Sequence, residues 1–525
     1  MTNSIADLDM ADVMLLVGSN TTTAHPVIAM GLNKAMKRGM RMIVADPRRT
    51  TLARKSDIHL QIRPGTDVAL LKALMRVIID EGLEDEDFIR ERTEGYDGLL
   101  ESLDEMSLEQ AAAICGVPSD AIKEAARLYA TAGRASVVYC LGVTQHSHGT
   151  DNVRCIANLA MLTGKIGRPG TGVNPLRGAN NVQGCCDMGA LPDLFPGYQK
   201  VGLDGTMENF EQAWGMELNS EPGLTVTEMI DAANNGDMKA MYIMGENPVL
   251  SDPDATKVVA GLKNLDFLVV QDIFLTETAA LADVVLPGAT FAEKNGTFTN
   301  TERRVQRVHK AIEPVGGARP DWQIIRDVAN AMGAGWTYES PKDIFNEMRQ
   351  VVWQYSGIRY GRIERGGIQW PCPKDSHPGT TILHEEVFAC GKGKMAAVDF
   401  IESDELPDEA YPFILNTGRA FMHFHTGSMT RRSKGLNALQ ESAYIEISPR
   451  DAESLNVKEG DMLKVASRRG EIEAAAVITD RSAAGSVFIP FHFAEAAANI
   501  LTNSARDPVS KIPELKVCAV KVEKA

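Results

Sequence analysis

The chain is 525 residues long, 44 % hydrophobic and 24 % charged, with a formal net charge of −16. Such a length buries several cores and divides into more than one domain, while the acidic balance, with no basic stripe to offset it, excludes a general phosphate-backbone binder, so no nucleic-acid partner is expected. No apolar run is long enough to cross a bilayer, and residues 1–11 lack the basic and apolar stretches of a secretory leader, so no membrane segment and a cytoplasmic location are expected.

Asp12-Val13-Met14-Leu15-Leu16-Val17 is a continuous apolar run stopped by Gly18-Ser19-Asn20. After His25-Pro26 an amphipathic segment leads to a second run, Arg41-Met42-Ile43-Val44-Ala45-Asp46. Strand, loop, helix, strand predicts a parallel α/β unit, and its second strand ends on an acid, the position from which such folds bond a nucleotide's ribose or base. A third strand is predicted at Asp57-Ile58-His59-Leu60, a turn at Pro64-Gly65 and a helix from Asp67 to Glu81. Then follow a helical stretch over 108–132, a strand at Ser136 to Leu141, a polar loop Gly142 to Gly149 and a helix near Asn152 to Leu162. His146 and His148 are candidate proton carriers on that loop, set against the commoner solvated loop histidine.

The next stretch, Asn174 to Asp193, holds one arginine, paired Asn180-Asn181, Gln183 and glycines at 178, 184 and 189. It is too polar for a core strand and too glycine-broken for a helix interior, which predicts a shaped loop. Amides and Arg177 among glycines suit close approach to a ligand, with a planar fork of donors for a carboxylate or phosphate. A crossover stabilised by its own amides is the alternative.

The first succession then recurs. Met241 to Asn247 matches the first strand with its Gly-x-Asn, Leu268 to Asp272 matches the second, and Asp283 to Leu286, followed by Pro287-Gly288, matches the third. Gly18 with Gly245, Asp46 with Asp272 and Asp57 with Asp283 keep one offset to within a residue, which predicts an internal duplication with a nucleotide-sized crevice on each copy. Neither copy carries Gly-x-Gly-x-x-Gly, so ordinary NAD or FAD binding is not expected. Periodicity weakens from Trp336 to Pro407, a connecting region, before a β-rich end whose hairpin turns at Arg469-Gly470 and which predicts a small barrel. The eight cysteines are scattered without Cys-x-x-Cys, and the vicinal pair Cys185-Cys186 is not expected to hold a metal, because neighbouring residues rarely present both sulfurs to one ion.

Arg177-Gly178-Ala179-Asn180-Asn181-Val182-Gln183-Gly184, with Asp187-Met188-Gly189-Ala190-Leu191-Pro192 downstream, Ala45-Asp46-Pro47-Arg48, Gly245-Glu246-Asn247-Pro248 and Ala282 to Pro287, resembles the catalytic subunit of molybdenum- or tungsten-dependent formate dehydrogenases, in the dimethyl-sulfoxide-reductase superfamily. The resemblance covers essentially the whole chain. It implies two interleaved, pseudo-duplicated α/β units with mainly parallel sheets over 1–179 and 180–335, a connecting region over 336–407 and a C-terminal dinucleotide-binding β-barrel over 408–525. It also implies a pair of molybdopterin guanine dinucleotides carrying molybdenum or tungsten. By motif match, one guanosine end meets Asn20, Asp46 and Arg48, the other Gly245, Gln271 and Asp283; Gln145 lies near a pterin, and Arg419, His423, Asn499 and Lys516 face both pterins from the barrel. Ala179 stands where many relatives carry Gln, and Ala420 where an acid is common.

The resemblance further implies formate as substrate, Arg177 as its anchor, and an electron-transfer subunit of iron–sulfur, flavin or hydrogenase type as partner. Family members begin with a domain whose four cysteines hold an iron–sulfur cluster, followed by a metal-ligating Cys or selenocysteine beside a His. The present chain starts downstream of those positions. The expectation is a reading frame begun at an internal Met after an in-frame selenocysteine codon, and an isolated fragment without activity. The alternatives are a non-catalytic scaffold like the large iron–sulfur subunit of respiratory NADH dehydrogenases, which needs no Arg177, and a nitrate- or arsenate-type reductase, which keeps the cofactor and changes the substrate.

Overall fold

A computed structural model describes residues 1–525, which divide into two compact units. The first comprises Met1–Leu176, Leu250–Thr256 and Ile382–Ala525, and the second Arg177–Val249 and Lys257–Thr381. The connecting region expected over 336–407 is therefore split between the units at residue 381. No helix is long and apolar enough to cross a membrane.

In the first unit, the run Val13–Val17 is the central strand of a five-stranded parallel sheet, flanked by Arg41–Ala45 and then Ile58–Leu60 on one side and by Ala135–Tyr139 and then Gly172–Pro175 on the other. Strands this uniformly apolar need cover on both faces. Leu15, Ile43 and Val137 pack on residues of the helices Asp67–Asp80, Ser119–Thr131 and Gly149–Leu162. Met14, Leu16, Met42 and Val44 face the opposite way, with Leu32 and Ala35 of the helix Pro26–Lys37. The helical stretch expected over 108–132 is two helices, Leu108–Cys115 and Ser119–Thr131, because Gly116 is left-handed and Pro118 cannot continue a helix.

The same unit holds a closed six-stranded barrel in the order Phe413–Gly418, Ser486–Pro490, Tyr444–Ile447, Glu471–Ile478, Met462–Ala466 and Cys518–Lys524. Closure removes every strand edge, and alternating residues such as Leu415, Ile445, Leu463, Val465, Val487 and Val520 fill its interior. The hairpin expected at Arg469-Gly470 joins Met462–Ala466 to Glu471–Ile478 in antiparallel register.

In the second unit, Ala240–Met244, Phe267–Asp272 and Val284–Pro287 form a three-stranded parallel sheet in the strand order of the first sheet's matching trio. Ile230, Val258, Leu262 and Ala279 cover the face carrying Ile243, Leu268 and Val270. A second, antiparallel sheet pairs Gly296–Thr299, Arg304–Val308 and Ile368–Gln369. Residues 341–351, expected only as part of a weakly periodic connecting region, form the helix Pro341–Val351, with a capping box from Ser340 to Asp343 and a buried Phe345 packed with Tyr355 and Ile368.

Candidate functional site

At the carboxyl end of the first sheet the chain turns sharply at Gly18, whose φ is +53°. Its amide donates to the Ala45 carbonyl at 2.9 Å, and its carbonyl accepts from Gly142 at 3.1 Å. A Cβ at Gly18 would stand 2.6 Å from the Gly142 carbonyl carbon, so only glycine fits where these two turns meet. Asp46 follows Ala45, Cys140 and Gln145 flank the Gly142 turn, and Arg419 and Lys516 lie near enough to Cys140 to act on its thiol. The Asp46 Oδ1 accepts the Arg48 N–H at 2.8 Å, and burial pushes its carboxyl up to about 6, against the opposing pull of Arg48. Lys516 donates to the Thr417 carbonyl at 2.7 Å, and burial draws its ammonium down to about 8, with Cys140, Glu514 and Asp46 pulling the other way. Arg419 is likewise lowered by burial, with Cys140 acting against it. The Leu515 N–H donates to the Gln145 carbonyl at 3.1 Å, which ties the loop of the sheet to the barrel segment that carries Lys516.

Several residues expected to meet a ligand are engaged within the protein. The Arg48 guanidinium pairs with the fully buried Glu446 at 2.7 Å and lies 3.4 Å from the Phe488 ring centroid, so it pins the strand end to the barrel. Asn499 donates both amide protons to the carbonyls of Leu250 and Ser251, at 2.8 and 2.9 Å, and so holds the segment 250–256. His423 has both ring nitrogens engaged, Nδ1 with Thr430 Oγ1 at 3.2 Å and Nε2 with the Gln440 carbonyl at 2.7 Å. Asn20 Oδ1 accepts from Thr22 Oγ1 at 3.1 Å. Ala420, where an acid was noted as common, donates its N–H to His492 Nε2 at 2.8 Å, and burial pushes that imidazole down to about 3.

Neither loop histidine is a simple solvated residue. His148 is half-buried, with its Nε2 shielded from solvent. His146 is 4 % exposed, contacts the Gly142 carbonyl through Nε2 at 2.9 Å, and sets Nδ1 3.3 Å from Glu514 and Nε2 3.8 Å from Asp67. Burial opposes its charge, but Glu514 and Asp67 overcome that and raise it to about 9. Burial likewise pushes Asp67 up to about 6, against the pull of His146. The sequence pattern marks Asp67 only as the start of a helix and carries no sign of Glu514. The only local sign of Asp67 is its place as an acid in the first turn of a helix.

In the second unit Gly245 repeats the Gly18 geometry, with φ +65° and its amide on the Gln271 carbonyl at 2.9 Å. The Gln271 side chain is 1 % exposed and bonded to Tyr242 OH at 2.5 Å and Asp321 Oδ1 at 2.8 Å. Asp283 requires a correction. It precedes its strand, so it lies at the amino end of the sheet, where its Oδ2 accepts the Leu268 N–H at 2.7 Å. Ligands of open parallel sheets bind at the other end. Asp57 does the same for Met42 at 2.7 Å in the first sheet, so the matched pair is a duplicated structural cap. The carboxyl-end acid missed from sequence is Asp321, at the start of the helix Asp321–Ala331 and paired with Lys294.

The stretch 174–193 is also partly helical, contrary to expectation. Val182–Asp187 makes a short helix through Gly184, where a Cβ would stand 2.4 Å from the Asn181 side-chain oxygen. That oxygen accepts the Thr299 N–H at 2.8 Å, so the glycine makes room for a cross-link to the antiparallel sheet. Arg177 precedes this helix. Its Nε donates to Gln183 Oε1 at 2.9 Å, and Nη1 lies 3.5 Å from Cys186 Sγ.

Comparison with known proteins matches the molybdopterin oxidoreductase family to residues 1–331, and the molybdopterin dinucleotide binding domain to residues 413–519, a span that takes in five of the six barrel strands and the start of the last. The chain belongs to the molybdopterin oxidoreductase family. It is 56 % identical over 528 residues to the F420-dependent formate dehydrogenase subunit alpha of Methanocaldococcus jannaschii, covering 100 % of this chain and 78 % of that one. It is 39 % identical over 531 residues to formate dehydrogenase H of Escherichia coli, covering 100 % of this chain and 74 % of that one. The solved structure of acetylene hydratase from Pelobacter acetylenicus matches with a TM-score of 0.79 at 22 % identity over 100 % of this chain and 79 % of that one, which shows that the two share a fold. The expected fold, parallel α/β units with a C-terminal barrel, is the one observed.

Proposed function

We propose that this chain is the alpha subunit of a formate dehydrogenase, oxidising formate to carbon dioxide with release of two electrons and a proton. The observation that carries the reading is Arg177, a guanidinium oriented through Nε by Gln183 at the head of the 182–187 helix. Formate is a bare carboxylate. A planar fork of N–H donors holds it at two points, where an ammonium offers a single point charge. The 56 % identity to a formate dehydrogenase subunit alpha over the full chain supports the same reading.

The cofactor is a pair of molybdopterin guanine dinucleotides with molybdenum or tungsten, which when bound supplies two-electron redox chemistry. The residues of the first unit fit a polyanionic dinucleotide. Lys516 offers a buried cation and Arg419 a partly buried one, and the buried oxygens of Thr144 and Ser147, beside Gln145, have no hydrogen-bond partner within the protein. Asp46 fits the guanine end: a buried carboxylate held at about 6 regains a stable charge from the two adjacent N–H groups of a guanine edge. Arg48, Asn499 and His423 act as supports for this site, since their polar atoms are already engaged. Electrons pass to a separate electron-transfer subunit.

The test is Arg177→Lys in the cofactor-loaded enzyme. Losing two-point holding lowers kcat/KM for formate by about 10² to 10⁴, at roughly 1.4 kcal/mol per decade, with GMP released per chain unchanged. Formate turnover near the parent's would remove Arg177 as the anchor.

A further inference from the structure

Asp187 is 1 % exposed and lies four residues after Gln183 on the same short helix. Four donors converge on its carboxylate. Gln183 Nε2 at 2.8 Å and Tyr198 OH at 2.9 Å reach Oδ1, while Trp370 Nε1 at 2.7 Å and Tyr355 OH reach Oδ2. None of the four is a cation, so this is not an ion pair. Its supports come from distant parts of the second unit: Tyr355 also bonds Thr299 Oγ1 at 3.0 Å, and the buried Arg303 donates to the Trp370 carbonyl. A loop built only to cross between elements has no need of so many partners on one carboxylate.

We infer that Asp187 is a positioning residue for the formate anchor: it fixes the polarity of the Gln183 amide, and through it the orientation of the Arg177 guanidinium. This rests on the reading of Arg177 given above. The logic is one of donors and acceptors. Indole N–H and guanidinium Nε–H only donate, and an ionised carboxylate only accepts. Asp187, together with the Tyr198 hydroxyl that donates to it and accepts from the same Gln183 Nε2 at 2.9 Å, therefore draws the NH2 end of Gln183 toward itself, which leaves Oε1 facing Arg177 Nε. Each bond forces the direction of the next, from Trp370 to Asp187 to Gln183 to Arg177.

The substitution Asp187→Asn keeps the shape and gives the wrong polarity. The oxygen of the new amide must stay opposite the Trp370 N–H, so its NH2 meets the NH2 of Gln183. The Gln183 amide then turns over and presents a donor to the Arg177 Nε–H, which drives the fork off its position. Placing a carboxylate at 183 in that background restores the sequence, because it accepts both from the amide introduced at 187 and from Arg177.

The experiment compares Asp187→Asn, Asp187→Asn with Gln183→Glu, and Arg177→Lys in the cofactor-loaded enzyme. KM for formate, kcat, and the Kd of nitrate, a planar oxyanion measured by calorimetry, are read for each. Asp187→Asn is expected to raise KM and the nitrate Kd together by about 10-fold or more, with kcat within a few-fold, and the double variant to recover most of both. If Asp187→Asn does not accumulate, Gln183→Met, which removes both the acceptor facing Arg177 and the donor to Asp187, is expected to raise KM equally. An unchanged KM in Arg177→Lys sinks the anchor itself, which is a separate failure. An effect of Arg177→Lys with unchanged KM and nitrate Kd in Asp187→Asn or Gln183→Met, or a loss of kcat alone without rescue, overturns the positioning role.

Discussion

The three-stranded parallel sheet of the second unit copies the layout of a trio within the first unit's five-stranded sheet but is less deeply buried. Both place their strands in the same order, both turn after the first strand on a left-handed glycine bonded to the end of the second, and both cap the start of the second strand with an aspartate. The central strand Val13–Val17 is buried at every residue, whereas Tyr242 and Met244 of its counterpart are 42 % and 48 % exposed. Backbone geometry is thus set locally, by glycine, turn and cap, and is carried over in a duplication. Burial depends on the elements packed alongside: in the first sheet two further strands, Ala135–Tyr139 and Gly172–Pro175, extend the trio.

The largest expected break of the comparison is at the two glycines. Gly18→Ala combines a left-handed φ with a 2.6 Å approach to Gly142, whereas a Cβ at Gly245 meets no protein atom within 4 Å. The strained φ costs about 1–2 kcal/mol at either position, and the clash adds about 1–3 kcal/mol at Gly18 alone. Thermal melting should show Gly18→Ala several degrees below Gly245→Ala. Equal losses would mean that the Gly142 turn yields without cost.

A second expected effect belongs to the first unit, where the barrel's Glu514 meets His146 from the loop after Ala135–Tyr139. His146 is raised from 6.5 to about 9, so its contribution is fully present below 6.5 and is lost as pH rises through 9. Asp67, raised to about 6, favours the folded state as pH falls below that value, outside the window. Lys516, drawn down to about 8, contributes in the opposite sense above that pH. The His146 contribution is therefore read as the stability difference between parent and His146→Phe, which should fall by about 1–3 kcal/mol between pH 6.5 and 9.5. A parent-to-variant difference that stays constant across the window would remove the imidazolium from the folded state.

Strand positions, the duplication and the barrel hairpin were legible because each is written in contiguous residues: apolar runs, a glycine after the first, turn dipeptides. The helix Val182–Asp187 was not, since its glycine is explained only by Asn181 reaching across to Thr299. Nor were Asp67, Glu514 and Asp321, whose partners are remote in sequence. Asp283 was misplaced for a different reason. The repeat correctly equated it with Asp57, but equivalence does not say which end of a strand a residue occupies, and both precede theirs.

That error supplies the finest test of the comparison, because it separates the two ends of each sheet by chemistry. If the amino-end aspartates are caps, Asp57→Ala and Asp283→Ala each leave one buried N–H, of Met42 or Leu268, without its acceptor and cost about 1–3 kcal/mol. Neither should change the GMP released by acid hydrolysis per chain. Asp46→Ala removes a carboxyl-end acceptor for guanine, and should lower released GMP by about half if each sheet holds one dinucleotide. The stability losses of the two cap variants should also resemble one another, since the duplicated bonds have the same length of 2.7 Å. A fall in released GMP for Asp283→Ala but not for Asp46→Ala would reverse the assignment of ends and move the guanine site to the amino side of the second sheet.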